Sequence, residues 1–276
     1  MKNILVPTDF SDISMKAAET AVIIAKKLKA SIQLLHITDL TPGWNQLPTE
    51  IKMSDPKQRK MLMTGEAKLL NFAQMPLFKG IKVRTYLEGD VPFEQIVQFP
   101  EAHQSDLIVM GAYGLGETKK PAIGSTAQRV LRFAPCPVLF VKKKYIPVPL
   151  KTIVFASSFD EAVRPIINTL VEFSNYFKGT VHLIYVNTKQ DFKVDEVILK
   201  LIQQCLQVEG EIPFKLHITN AESKEAGIMR VAKSIQADVI ALTTHWHRSK
   251  KTYALGIAET LLLKSDIPIM SFLLKK

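Results

Sequence analysis

Between Met110 and Thr126 the chain reads MGAYGLGETKKPAIGST. Of its four glycines, Gly111, Gly114 and Gly124 stand out, the last leading directly into two hydroxyls, Ser125 and Thr126. These residue types suit an anion. Gly111 lets backbone approach a ligand, and Gly114 can take the positive φ of a tight turn. Gly124 to Thr126 would open a helix whose free N–H groups and positive dipole end attract phosphate. Lys119 and Lys120, in the intervening loop, supply cations. The plainer alternative is a turn followed by a capped helix, with two solvated lysines. Asp9, in PTDFSD near the N-terminus, favours the phosphate reading if both stretches face one crevice. Neither a G-x4-G-K-[ST] loop nor dinucleotide glycines after the first apolar run are present.

Other chemistry has less support. His245 and His247, in THWHRSKK, could share a metal with His217, but zinc needs three or four ligands and no clear third is designated. Loop histidines without metal are the favoured reading, so no metal ligand is assigned. No G-x-S-x-G elbow or H-E-x-x-H pair occurs, and no catalytic residue is assigned. Cys136 and Cys205 are too few for a disulfide framework and read as small buried apolar residues.

The elements that must position the glycine stretch come in two copies. KNILVPTDF (residues 2–10) lies over KTIVFASSF (151–159), and SIQLLHI (31–37) over TVHLIYV (180–186). SDLIVMG (105–111) lies over ADVIALT (237–243), and CPVLFV (136–141) answers IPIMSF (267–272). In each half, short β-branched runs alternate with amphipathic stretches such as 11–30, where Ala17, Ala21, Ile24 and Leu28 form one stripe. Ser11 or Asp12 can cap that helix. The pattern predicts an α/β chain of two repeated doubly wound, Rossmann-like domains, each a parallel sheet with helices on both faces. Domain 1 is placed at 1–144 and domain 2 at 151–276, with 145–150 as linker inside KKKYIPVPL. Residues 38–60 read as a long loop entering a helix near Gln58 to Gln74; its Trp44 either covers a ligand or, as favoured, plugs the sheet edge.

Composition sets outer bounds. The 276 residues are 47% hydrophobic and carry a formal charge of +10. The lysines are scattered rather than gathered in one arm, which disfavours a nucleic-acid partner. No apolar run nears the roughly 18 residues of a membrane span, and the N-terminus lacks a secretory pattern, so a cytoplasmic protein is expected.

The signature G-x2-G-x9-G-[ST], here Gly111, Gly114, Gly124 and Ser125, resembles that of the universal stress proteins. NILVPTDFSD, LLHI and APCPVLFV match the family as well, in two copies along nearly the whole chain, as in its tandem members. The resemblance implies sheets of order 3-2-1-4-5 and, in the ATP-binding branch, a bound adenine nucleotide, with or without Mg. Pro7, Thr8, Asp9 and the backbone of Ile37 would meet the adenine end. Met110 and Gly111 would lie along the nucleoside, and Gly114, Gly124, Ser125 and Thr126 would hold the phosphates. Tyr113 could shield the ligand. The family's habit of pairing through fifth strands implies Val138–Val141 against Ile269–Phe272, besides a homodimer and an unknown protein partner as further expectations. The implied role is a nucleotide-responsive stress module; a nucleotide-independent scaffold, slow ATP hydrolysis and self-phosphorylation are the alternatives. In the second copy Ser158, Thr243, Trp246 and Ile257 replace Asp9, Gly111, Gly114 and Ser125, so that half is not expected to bind ATP.

Overall fold

The computed structural model describes residues 1–38, 40, 47–113, 123–142, 144–159, 163–207, 214–245 and 256–274. Two compact units divide the chain, Met1–Pro147 and Val148–Lys276. Gly114, Lys119, Lys120, Trp44, Trp246 and His247 lie outside the described residues.

In the first unit the elements are β1 (Asn3–Pro7), α1 (Asp12–Leu28), β2 (Ser31–Thr38), α2 (Thr49–Ser54), α3 (Pro56–Ala73), β3 (Val83–Gly89), α4 (Pro92–His103), β4 (Leu107–Gly111), α5 (Ser125–Phe133) and β5 (Val138–Val141). The strands are parallel, in the order β3-β2-β1-β4-β5. The winding reverses between β1 and β4, where ligands of open α/β sheets bind beyond the strand ends. Central strands are sealed on both faces: Ile4, Leu5, Leu34, Leu35, Ile108 and Val109 are fully buried. At the edge, β3 stays partly open to solvent. The helix expected from Gln58 begins earlier, because Asp55 caps it and Pro56, with no amide to leave unpaired, occupies its first position. A short preceding helix, α2, takes up part of the segment read as loop.

The second unit repeats the plan with β6 (Thr152–Ala156), α6 (Arg164–Tyr176), β7 (Thr180–Asn187), α7 (Asp195–Leu206), β8 (Lys215–Asn220), α8 (Lys224–Ser234), β9 (Val239–His245), α9 (Ile257–Lys264) and β10 (Ile269–Leu274). Its strand order is β10-β9-β6-β7-β8, again parallel. The repeat extends to single hydrogen bonds. Asp106 accepts the amides of Lys2 and Asn3 at 2.5 and 2.9 Å, and Asp238 accepts those of Lys151 and Thr152, both at 2.8 Å. Each carboxylate thereby fixes where the first strand of its unit starts beside the fourth. Neither cysteine is enclosed; both are half-buried. Burial still pushes the Cys136 thiol up to about 12, with Asp106 adding to the shift. No described helix is long and apolar enough to cross a membrane.

Candidate functional site

The turn leaving β1 is held by a buried hydroxyl. Thr8 extends the strand, its amide donating to the Leu35 carbonyl at 2.8 Å. The Thr8 hydroxyl accepts the Phe10 amide at 3.0 Å and lies 3.1 Å from the Ser14 hydroxyl. This local bond offsets the cost of holding Phe10 at φ 63°, a region non-glycine residues seldom occupy. The Phe10 ring packs against His36, whose Nδ1 donates to the Thr8 carbonyl at 2.9 Å. Burial is the main reason the His36 imidazole is held below its usual pKa, hence neutral. Asp9 accepts from the Ser11 hydroxyl at 2.5 Å and the Ser11 amide at 3.1 Å, while Ser11 caps α1. The carboxylate thus sits at a helix start, where negative charge is favoured. The second unit copies the turn: Ser157 accepts the Phe159 amide at 3.0 Å, and Phe159 has φ 55°.

Across the reversal point, Gly111 ends β4 opposite Val141. A Cβ at Gly111 would lie 2.8 Å from Ile13 Cγ2 and 3.0 Å from the Tyr113 carbonyl oxygen. The glycine is therefore needed for α1 to press on β4. The Ala112 carbonyl then accepts the Gly124 amide at 3.1 Å. That bond ties the start of α5 to the end of β4. In consequence Gly111 and Gly124 to Thr126 converge on the carboxyl edge of the sheet, where Pro7, Thr8 and Asp9 leave β1. Among the described residues, no side chain caps α5. Ser125 is exposed and Thr126 half-buried at the helix start. Met110 is buried in β4, and Ile37 is half-buried near the end of β2, opposite Glu88.

Two neighbours of this edge were missed by the sequence reading. Ile13 is an ordinary apolar helix residue whose role depends on the glycine it meets. Lys142 falls within the stretch read as connection, yet it is 3% exposed and its Nζ lies 5.7 Å from the centre of the Tyr113 ring. An apolar strand run ending in lysine at the carboxyl edge of the sheet was the available signal.

In the second unit, Thr243 stands in β9 where Gly111 stands in β4, and Ile257 opens α9 where Ser125 opens α5. The Gly256 amide donates to the Glu259 carboxylate at 2.6 Å, and Glu259 is 6% exposed. A glutamate three residues after the N-cap is a capping pattern that the sequence displays. His217 does not join His245. It stands on β8, with β6 and β7 between it and β9 in the sheet order, and its Nε2 meets His182 Nδ1 at 2.9 Å. Among the described residues, no group of three or more His, Cys, Asp or Glu side chains could hold a metal ion.

Comparison with known proteins follows the same lines. The family model described as Universal stress protein family matches residues 1–142. Universal stress protein MJ0531 of Methanocaldococcus jannaschii is 37% identical over 142 residues, spanning 51% of this chain and 82% of that protein. Universal stress protein YxiE of Bacillus subtilis is 28% identical over 145 residues, spanning 50% and 97%. A universal stress protein structure from Archaeoglobus fulgidus superposes on 98% of this chain and 97% of its own, with TM-score 0.76 and 23% identity, a likeness of fold. With a family model covering half its length and a relative of this identity, the chain belongs to the universal stress protein family.

Proposed function

We propose that the first unit binds an adenine nucleotide, ATP with or without Mg, at the carboxyl edge between β1 and β4. In this reading Pro7, Thr8, Asp9 and the backbone of Ile37 meet the adenine end, and Met110 and Gly111 lie along the nucleoside. Gly114, Gly124, Ser125 and Thr126 hold the phosphates. The reading rests chiefly on the Ala112–Gly124 hydrogen bond, which sets an α5 start without a side-chain cap beside the Asp9 turn. Helix-start amides with hydroxyls beside them are a general anion cradle. Nucleotide would order the glycine stretch and change a surface seen by a protein partner in the cytoplasm, a population shift. The second unit, without the glycines and the serine, would serve as the built-in partner, Ile269–Phe272 pairing with Val138–Val141.

Calorimetric titration of ATP into the full chain tests this reading, run beside a Gly114→Trp, Ser125→Ile variant. One site per chain, lost in a variant that still melts cooperatively, is expected. Absence of binding in the unaltered chain would remove nucleotide from the reading and leave a scaffold.

A further inference from the structure

The two units treat the start of their last helix in opposite ways. At α5 the Gly124 amide donates to the Ala112 carbonyl of its own strand end, and the third helical residue is Ala127, 2% exposed, with no acceptor to offer. At α9 the matching amide, Gly256, donates instead to Glu259, which aligns with Ala127. The alignment is supported by the first helical bonds, Gln128 to Gly124 and Thr260 to Gly256, both at 2.9 Å. Glu259 is buried, so its carboxylate is held against the helix start rather than extended into solvent.

We propose that Glu259 is a built-in anion that closes the second unit to phosphate, and that alanine at position 127 is what leaves the first unit open. The inference rests on the nucleotide reading for the first unit, and it adds the residue that selects between the halves. A carboxylate held at a helix N-terminus occupies the positive end of the dipole that an incoming phosphate needs, and it repels that phosphate. Ser125 and the glycines set whether an anion can be held. Position 127 or 259 sets whether the place is already taken.

Two arms test this. In the first, Ala127→Glu in the full chain is titrated with ATP beside the unaltered protein and Ala127→Gln, a side chain of equal length without charge. Affinity is expected to fall at least about tenfold for Ala127→Glu and less than about threefold for Ala127→Gln. Equal affinity of Ala127→Glu and the unaltered chain, or equal losses in the two variants, would overturn the proposal. In the second arm, Trp246→Gly and Ile257→Ser are introduced in the Gly114→Trp, Ser125→Ile background, once with Glu259 kept and once with Glu259→Ala, and melting is followed against inorganic phosphate. Phosphate is expected to raise the melting temperature of the Glu259→Ala form by about 2 °C or more beyond the form that keeps Glu259. No excess over that form would overturn it. If the unaltered chain binds no ATP, the nucleotide reading fails by itself, and the phosphate arm alone decides the role of Glu259.

Discussion

Ile13 of α1 touches the one position on β4 that has no side chain, Gly111, so closely that a Cβ there would come within 2.8 Å of Ile13 Cγ2. In the second copy Thr243 stands in place of Gly111, and the residue aligned in sequence with Ile13, Ala162, lies outside the described residues.

Gly111→Ala is accordingly expected to destabilise the chain by about 1–3 kcal/mol, the usual range for overpacking a full core. Adding Ile13→Ala should recover part of that loss, although Ile13→Ala by itself is destabilising. Urea unfolding of the two single variants and the double variant measures the coupling. Strictly additive losses would show that the Ile13 contact does not limit position 111.

The Thr8 hydroxyl holds the Asp9 turn from within. Thr8→Val keeps the shape but leaves the half-buried Phe10 amide without its acceptor. A loss of about 1–3 kcal/mol is expected, with ATP affinity falling because Asp9 is displaced. Thr8→Ser, which copies Ser157 of the second unit, should retain most of both properties. Urea unfolding and ATP titration of the two variants check this; equal loss in Thr8→Ser and Thr8→Val would refute it.

Acidification should loosen both units. His36, His182 and His217 are all held below the ordinary imidazole value of 6.5, each by burial first. For His182 the neighbouring His217 and Lys215 add to the shift, and for His217 Lys215 does so. Below 6.5 the unfolded chain takes protons that the folded chain refuses, so stability rises with pH in that window. The full contribution is present above 6.5 and is lost as pH falls through the lowered folded values. Urea midpoints are expected to drop between pH 7.5 and pH 5.5, and His217→Gln should lessen the drop by removing one of the groups that must titrate. An equal drop with and without His217 would contradict this assignment.

Much of the fold was legible in the sequence because its signals are local and repeated. Apolar runs such as NILVP and LIVMG are too short for helices and too continuous for half-exposed strands, and amphipathic stretches of helical period separate them. The helix expected near Gln58 starts two residues earlier because Pro56, next to Asp55, marks a helix start rather than loop. Of the candidate site, Gly111, Gly124, Ser125 and Asp9 were visible as residue types at fixed spacing. What they touch was not.

By itself, then, the sequence determined two copies of a parallel α/β unit and a glycine stretch that follows the fourth strand of the first, since periodicity and spacing are properties of the chain alone. Only the tertiary structure decided that Gly111 faces Ile13, that Ala112 draws Gly124 to the strand end, and that Glu259 turns back on Gly256. Ile13 and Gly111 are distant in the chain, and short-range repulsion between them acts only once the helix packs on the strand. Hydrogen bonds likewise form over about 3 Å. Which donor finds which acceptor is therefore settled by packing, and the capping pattern at Glu259 gains its meaning only beside the open helix start of the first unit.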